Sequence, residues 1–208
     1  MKKHEVVYEM QFINACKAYE DKIIFKNLNL NFEKNKITVL LAPSGYGKTT
    51  LLNIIAGLES LNSGNFIMEA QSISYMFQED RLLPWLTVYE NIAFVLKSNT
   101  LKCEIRNIID KYLDLVNLKE YKDYTLDKLS GGMKRRVALA RALAYKSEVL
   151  IMDEPFKGLD LSLKREIISG FLKLWEKDKR TVIVVTHDIK EAKLLAHNTY
   201  FLEEYSKL

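Results

Sequence analysis

Long apolar runs are missing from this 208-residue chain. Nowhere do apolar residues continue for the roughly 18 positions that a membrane span needs, so the chain is expected to be soluble and to reach a membrane only through a partner. Cysteine is scarce. Cys16 and Cys103 lie far apart and outside any metal-ligand spacing, which excludes a disulfide framework and points to reduced, mostly structural thiols. The opening Met-Lys-Lys-His-Glu-Val-Val-Tyr-Glu meets a glutamate before any apolar stretch, so it does not read as a secretory leader. Charge of one sign is also weak: 31 Lys and Arg against 27 Asp and Glu leave a net charge of +4. That surface is too mildly basic for a nucleic-acid binder, and no such partner is expected. Three prolines and eight glycines build no linker, repeat or low-complexity segment. One domain spanning residues 1–208 is therefore expected.

What is present is ample core material, 48% hydrophobic residues, in patterns that change along the chain. From Val6 to Phe32 apolar residues alternate in short bursts, as antiparallel strands with one wet face do. Ile37 to Leu41 is continuously apolar, as is a strand buried on both faces, and it feeds a helix expected over Lys48 to Ala56. Ile73 to Phe77 reads as another strand. Residues 86 to 145 are mostly helical by spacing, including a helix from Met133 to Ala144, and form a candidate inserted subdomain. Val149 to Met152 and Thr181 to Val185 then read as buried parallel strands around a helix near Leu161 to Glu176. The expected fold class is α/β, with an N-terminal antiparallel β region and an inserted α-helical subdomain.

Between the strand ending at Leu41 and the next helix stand Ala42, Pro43, Ser44, Gly45, Tyr46, Gly47, Lys48 and Thr49, followed by Thr50. A glycine-bearing loop in that place points backbone N–H groups at phosphate oxygens, while the lysine reaches the terminal phosphates and the threonine hydroxyl holds magnesium. Ala42 takes a position where glycine is usual, which requires an ordinary negative φ there. Asp153 and Glu154 end an apolar strand, where a parallel sheet opens its ligand crevice. Asp153 is expected to hold magnesium and Glu154 to act as general base toward the attacking water. Gln78 also follows a strand, from which it is expected to reach the metal or that water. His187, after a third strand, is expected to hydrogen-bond the transferring γ-phosphate. His4 and His197 lack such companions and read as surface or packing residues. Tyr19 suits either stacking on adenine or covering the β region.

Ser130, Gly131 and Gly132 precede a helix, where a hydroxyl, free N–H groups and the helix dipole make a second anion site; an ordinary serine cap is the plainer alternative. A single phosphate loop has no need of it, whereas two protomers placed head to tail do. Each serine turn would then cover the ATP held by the other copy, with Asp160 on the same seam. Leu82, Leu83 and Trp85 form either subdomain core or an exposed patch for a partner helix, and the second is preferred.

Taken together, residues 42–49, Gln78, Leu129 to Gly132, Asp153, Glu154 and His187 resemble the ATP-binding subunits of ABC transporters from about Tyr19 to about Ala196. The resemblance implies a P-loop NTPase core of the RecA-like kind, ATP and Mg2+ as ligands, and a homodimer that closes around two nucleotides. It also implies membrane permease subunits as partners, a solute-binding protein in the same system, and a place on the cytoplasmic face of the membrane. The stretch from Phe77 to Asn91 is similar to importers of the nitrate, sulfonate, taurine and pyrimidine-precursor group. Met133 in place of the common glutamine occurs in that group too, while Lys157-Gly158 departs from the usual pair before Leu159-Asp160. The last strand lies near the end, so no C-terminal regulatory domain is expected. Two other classes stand beside this one: a non-transport ABC ATPase working on another complex, and a phosphoryl-transferring kinase, which would leave Ser130 and His187 without a purpose.

Overall fold

The computed structural model describes residues 6–20, 22–43, 45–98 and 100–202. The chain divides into two compact units, the first built from the segment up to Ile73, Glu148–Glu154 and the segment from Lys179, the second from Ser74–Ser147 and Pro155–Asp178.

In the first unit β1 (Tyr8–Tyr19), β2 (Lys22–Glu33) and β4 (Ser63–Met68) form an antiparallel sheet with β1 in the middle. Its apolar face is aromatic: Phe12 lies opposite Leu30 and Phe66, with ring centroids 4.6 Å from Phe66 and 6.4 Å from Phe32. Irregular pairing along β1 is relieved by left-handed Asn14 (φ 50) and Asn27 (φ 52), the residue type that tolerates that region after glycine. Gly64, at φ 84, lets β4 approach β1 closely, since a Cβ there would stand 2.3 Å from the Asn14 carbonyl.

The same unit holds a parallel sheet in which β6 (Val149–Asp153), β7 (Thr181–Thr186), β3 (Ile37–Leu41) and β8 (Asn198–Phe201) lie side by side in that order. Every residue of β3, β6 and β7 is buried, which explains their continuous apolar runs. Leu41 pairs with Thr186 and Asp153 with Val185, so the three strands end together at one edge of the sheet. From that edge start the loop into α1 (Lys48–Ile55), the Glu154 turn, and the turn into α6 (Ile189–Leu195). The α1 boundary falls one residue short of the expected Ala56, which caps the helix before left-handed Gly57.

The second unit contains β5 (Ile73–Met76) from its second residue on, α2 (Val88–Leu96), α3 (Lys102–Leu115), α4 (Gly131–Ala144) and α5 (Leu161–Asp178), with single 3-10 turns at Lys119–Tyr121 and Leu126–Lys128. Thr87 and Glu90 cap α2 reciprocally. Helix α4 starts two residues before the expected Met133, because the Ser130 hydroxyl accepts the Met133 N–H and draws both glycines into the first turn. No helix among the described residues is long and apolar enough to cross a membrane.

Candidate functional site

The loop expected to bind phosphate, residues 42–49, is built by the strand before it and the helix after it. Ala42 is buried and is not among the left-handed residues, whereas Gly45 (φ 90) and Gly47 (φ 74) are. Gly47 is the N-cap of α1 and lies so close to β2 that a Cβ would meet Ile24 Cγ2 at 2.3 Å. No side chain caps α1 and no acidic residue stands in its first turn. The positive end of the helix is thus neither capped by a side chain nor countered by an acid of its own first turn, as suits an anion. Lys48 Nζ donates to the carbonyls of Ala42 at 2.6 Å and Pro43 at 2.9 Å, which holds the ammonium at the loop. Ser44 lies outside the described residues, as does His4. Tyr46 is part-buried within the loop.

Thr49 Oγ1 donates to Asp153 Oδ2 at 3.4 Å, which joins the helix start to the end of β6. Asp153 is only 1% exposed. The next residue, Glu154, is left-handed at φ 51 and donates its N–H to the Val185 carbonyl at 2.9 Å. That conformation costs a non-glycine residue about 1–2 kcal/mol. Glu154 Oε1 and Oε2 lie 2.9 and 3.0 Å from His187 Nδ1. The turn that carries His187 is pinned on its far side: Thr186 Oγ1 donates to Glu191 at 2.6 Å and accepts the Asp188 N–H at 3.1 Å, while Asp188 caps α6. His197, expected as a surface or packing residue, is exposed and accepts the Ile37 N–H at 3.3 Å.

Tyr19 ends β1 and is 42% exposed, with its hydroxyl on the Glu59 carboxylate and beside the Thr50 hydroxyl. Burial and the Glu59 charge hold the phenol above its ordinary range. Burial alone would raise Glu59, but the bonds from Tyr19 and Asn53, with Lys17 nearby, bring it below the usual carboxylate value.

Gln78, Ser130, Gly131, Gly132 and Asp160 belong to the second unit. Gln78 is exposed, and its backbone is clamped: Arg135 Nη1 donates to the carbonyls of Phe77 and Gln78, each at 2.9 Å, and pairs with Asp80 at 3.0 Å. Arg141 adds the carbonyls of Arg81 and Asp80 at 2.9 Å. Asp160 Oδ1 accepts the Leu163 N–H at 3.0 Å and caps the start of α5. Trp85, 73% exposed, stands beside half-buried Leu82 and Leu83. Sequence reasoning passed over Arg135, Arg141 and Glu59. The arginines are recognisable only as cations on a helix at positions 135 and 141 that turn out to be half-buried or buried, and Glu59 carries no local signal at all.

A family model described as ABC transporter matches residues 25–157. The chain is 42% identical over 190 residues to the Fe(3+) ions import ATP-binding protein FbpC of Fusobacterium nucleatum, covering 86% of this chain and 51% of that protein. It is 39% identical over 184 residues to the nitrate import ATP-binding protein NrtD of Synechococcus elongatus, covering 84% and 67%. Among solved structures, the dimeric structure of MJ0796, a bacterial ABC transporter cassette, matches with a TM-score of 0.81 at 31% identity, covering 89% of this chain and 91% of that one. A post-hydrolysis dimer of the same cassette bound to ADP and Pi matches at 0.78 and 30% identity, covering 91% and 95%. The chain spans about half the length of the curated iron and polyamine import proteins it matches.

Proposed function

Because the chain belongs to the ABC transporter family, we propose that it is the ATP-hydrolysing subunit of an importer, driving solute uptake through a partner membrane permease. One observation carries the reading: Glu154, one residue beyond the Asp153 that meets Thr49, holds its carboxylate against His187 at 2.9–3.0 Å. The phosphate loop and the open end of α1 take the triphosphate, and Lys48 moves from the loop carbonyls to its terminal oxygens. Glu154 accepts a proton from the attacking water as the new P–O bond forms and the bond to ADP breaks, while His187 orients the γ-phosphate. Thr49 and Asp153 offer hard oxygen donors of the kind that hold Mg2+ together with phosphate oxygens, and the bound ion would supply charge neutralisation between the phosphates.

The serine turn at Ser130, with the Gly131 and Gly132 N–H groups, is assigned to the ATP bound by a second copy of the chain, and Asp160 to the same interface. The dimeric cassettes among the structural matches support that assembly. Exposed Trp85 is assigned to the permease. Relatives named for iron and nitrate import support the direction of transport, and such systems supply a solute-binding protein. The chain would then sit on the cytoplasmic face of the membrane through its permease. In a phosphate-release assay Glu154→Gln lowers turnover by about 10²- to 10⁴-fold while ATP still binds. Unchanged turnover would remove Glu154 from the role of base, and a phosphorylated small molecule in place of free phosphate would make the protein a kinase.

A further inference from the structure

Glu59 takes no part in the hydrolysis described above, yet its carboxylate gathers three side chains beside α1, those of Tyr19, Asn53 and Lys17. It lies between α1 and β4, only 25% exposed at the side chain. Its Oε2 accepts from the Tyr19 hydroxyl, 40 residues away in sequence, and its Oε1 accepts from Asn53 Nδ2 at 3.0 Å. Lys17 Nζ stands 3.5 Å from the same carboxylate, donates to the Ser60 carbonyl at 2.8 Å, and lies 4.7 Å from the centroid of the Tyr19 ring. The strand end is also tied down, because the Ala18 N–H donates to Asn62 Oδ1 at 2.8 Å.

The consequence is a ring with few ways to move. A tyrosine has two side-chain torsions; here the hydroxyl is anchored at one end and a cation rests on one face, while the residue stays 42% exposed. Two of the anchoring groups, Thr50 and Asn53, stand on α1, whose first residue is Lys48. The ring is therefore fixed to the helix that begins at the phosphate loop, so α1 sets the distance from ring to phosphate cradle. Ordering the ring before the nucleotide arrives removes a cost that binding would otherwise carry.

We infer that Glu59, with Lys17, is a positioning residue that holds Tyr19 as a one-faced stacking platform for the nucleobase. This rests on the reading of the loop as a nucleotide site and of Tyr19 as the residue that stacks on adenine; the inference is the anchor, not the stacking. Stacking of this kind presents a π-face and no hydrogen-bond pattern, so the platform serves any purine alike.

Calorimetric titration of the full chain with ATP, GTP and inorganic tripolyphosphate separates the possibilities. Tyr19→Ala weakens ATP and GTP by about 5- to 100-fold, the usual worth of one stacked base, and leaves tripolyphosphate unchanged. Tyr19→Phe and Glu59→Ala each weaken both nucleotides by about 3- to 10-fold, and the double variant is no weaker than either single one, because both break the same bond. Glu59→Gln keeps an acceptor for the phenol and recovers most of the loss. Additive losses in the double variant, or a parallel loss of tripolyphosphate affinity, would overturn the role of Glu59. Unchanged ATP affinity in Tyr19→Ala would overturn the platform itself, whereas a wild-type chain that binds neither ATP nor tripolyphosphate would overturn the nucleotide reading beneath it.

Discussion

Glu154 combines two properties seldom found in one residue: a left-handed backbone and a nearly buried carboxylate. Glycine would relieve the first and forfeit the second, so the strain marks a place where the side chain matters more than local comfort. The residue types of the site were readable from their order along the chain, but the contact of Glu154 with His187 joins positions 33 apart and needs the pairing of β6 with β7. Glu59 was illegible for the same reason. Its depressed acidity has a consequence for stability. A carboxyl whose folded value lies below its ordinary 4.5 stabilises the fold above that pH, and the stabilisation fades as pH falls through the folded value. Tyr19, raised above 10, contributes below its ordinary value and loses that contribution as pH rises through the raised one. Urea midpoints of wild type and Glu59→Gln should therefore differ at pH ~7 and converge toward pH ~3.

Elements explain why two short motifs acquire fixed shapes. The loop proposed to hold phosphate is a turn between a strand buried along its whole length and a helix whose first turn has neither cap nor acid. The glutamine segment is held differently. Buried Asn91 on α2 accepts the Leu83 N–H at 2.9 Å and donates to the carbonyls of Leu83, Leu86 and Thr87 at 3.0–3.3 Å. Residues with no repeating backbone pattern are thus satisfied by one amide side chain. Asn91→Ala takes this partner from the Leu83 N–H and the Leu86 carbonyl, while the carbonyls of Leu83 and Thr87 keep backbone donors, and it should lower unfolding free energy by about 2 kcal/mol, as read by urea denaturation. Ser130→Ala removes the cap of α4 and should cost about 1 kcal/mol in the isolated chain. If the serine turn also grips a second copy's ATP, the same variant loses far more in turnover than that stability change accounts for. Helix and strand types were legible because apolar periodicity reports burial directly. The start of α4 was not, since a double glycine reads as a turn until its cap is seen.

For the whole molecule, the proposed function requires two copies of the chain and a membrane partner. Light scattering of Glu154→Gln with ATP should show a dimer that dissociates when ATP is removed, and Ser130→Glu should keep it monomeric. Trp85→Asp should leave phosphate release by the isolated chain unchanged and lower its recovery with permease-containing membranes, measured by co-sedimentation. The order of motifs and the alternation of apolar runs determined the fold class, the glycine-bearing turn before α1 and the acid at the end of β6, since burial periodicity and loop chemistry are local properties of a chain. Tertiary structure alone decided that Glu154 faces His187, that Arg135 and Arg141 clamp the Gln78 backbone, and that Glu59 anchors Tyr19. Each of those contacts joins segments far apart in sequence, and only strand register and helix packing bring such segments together.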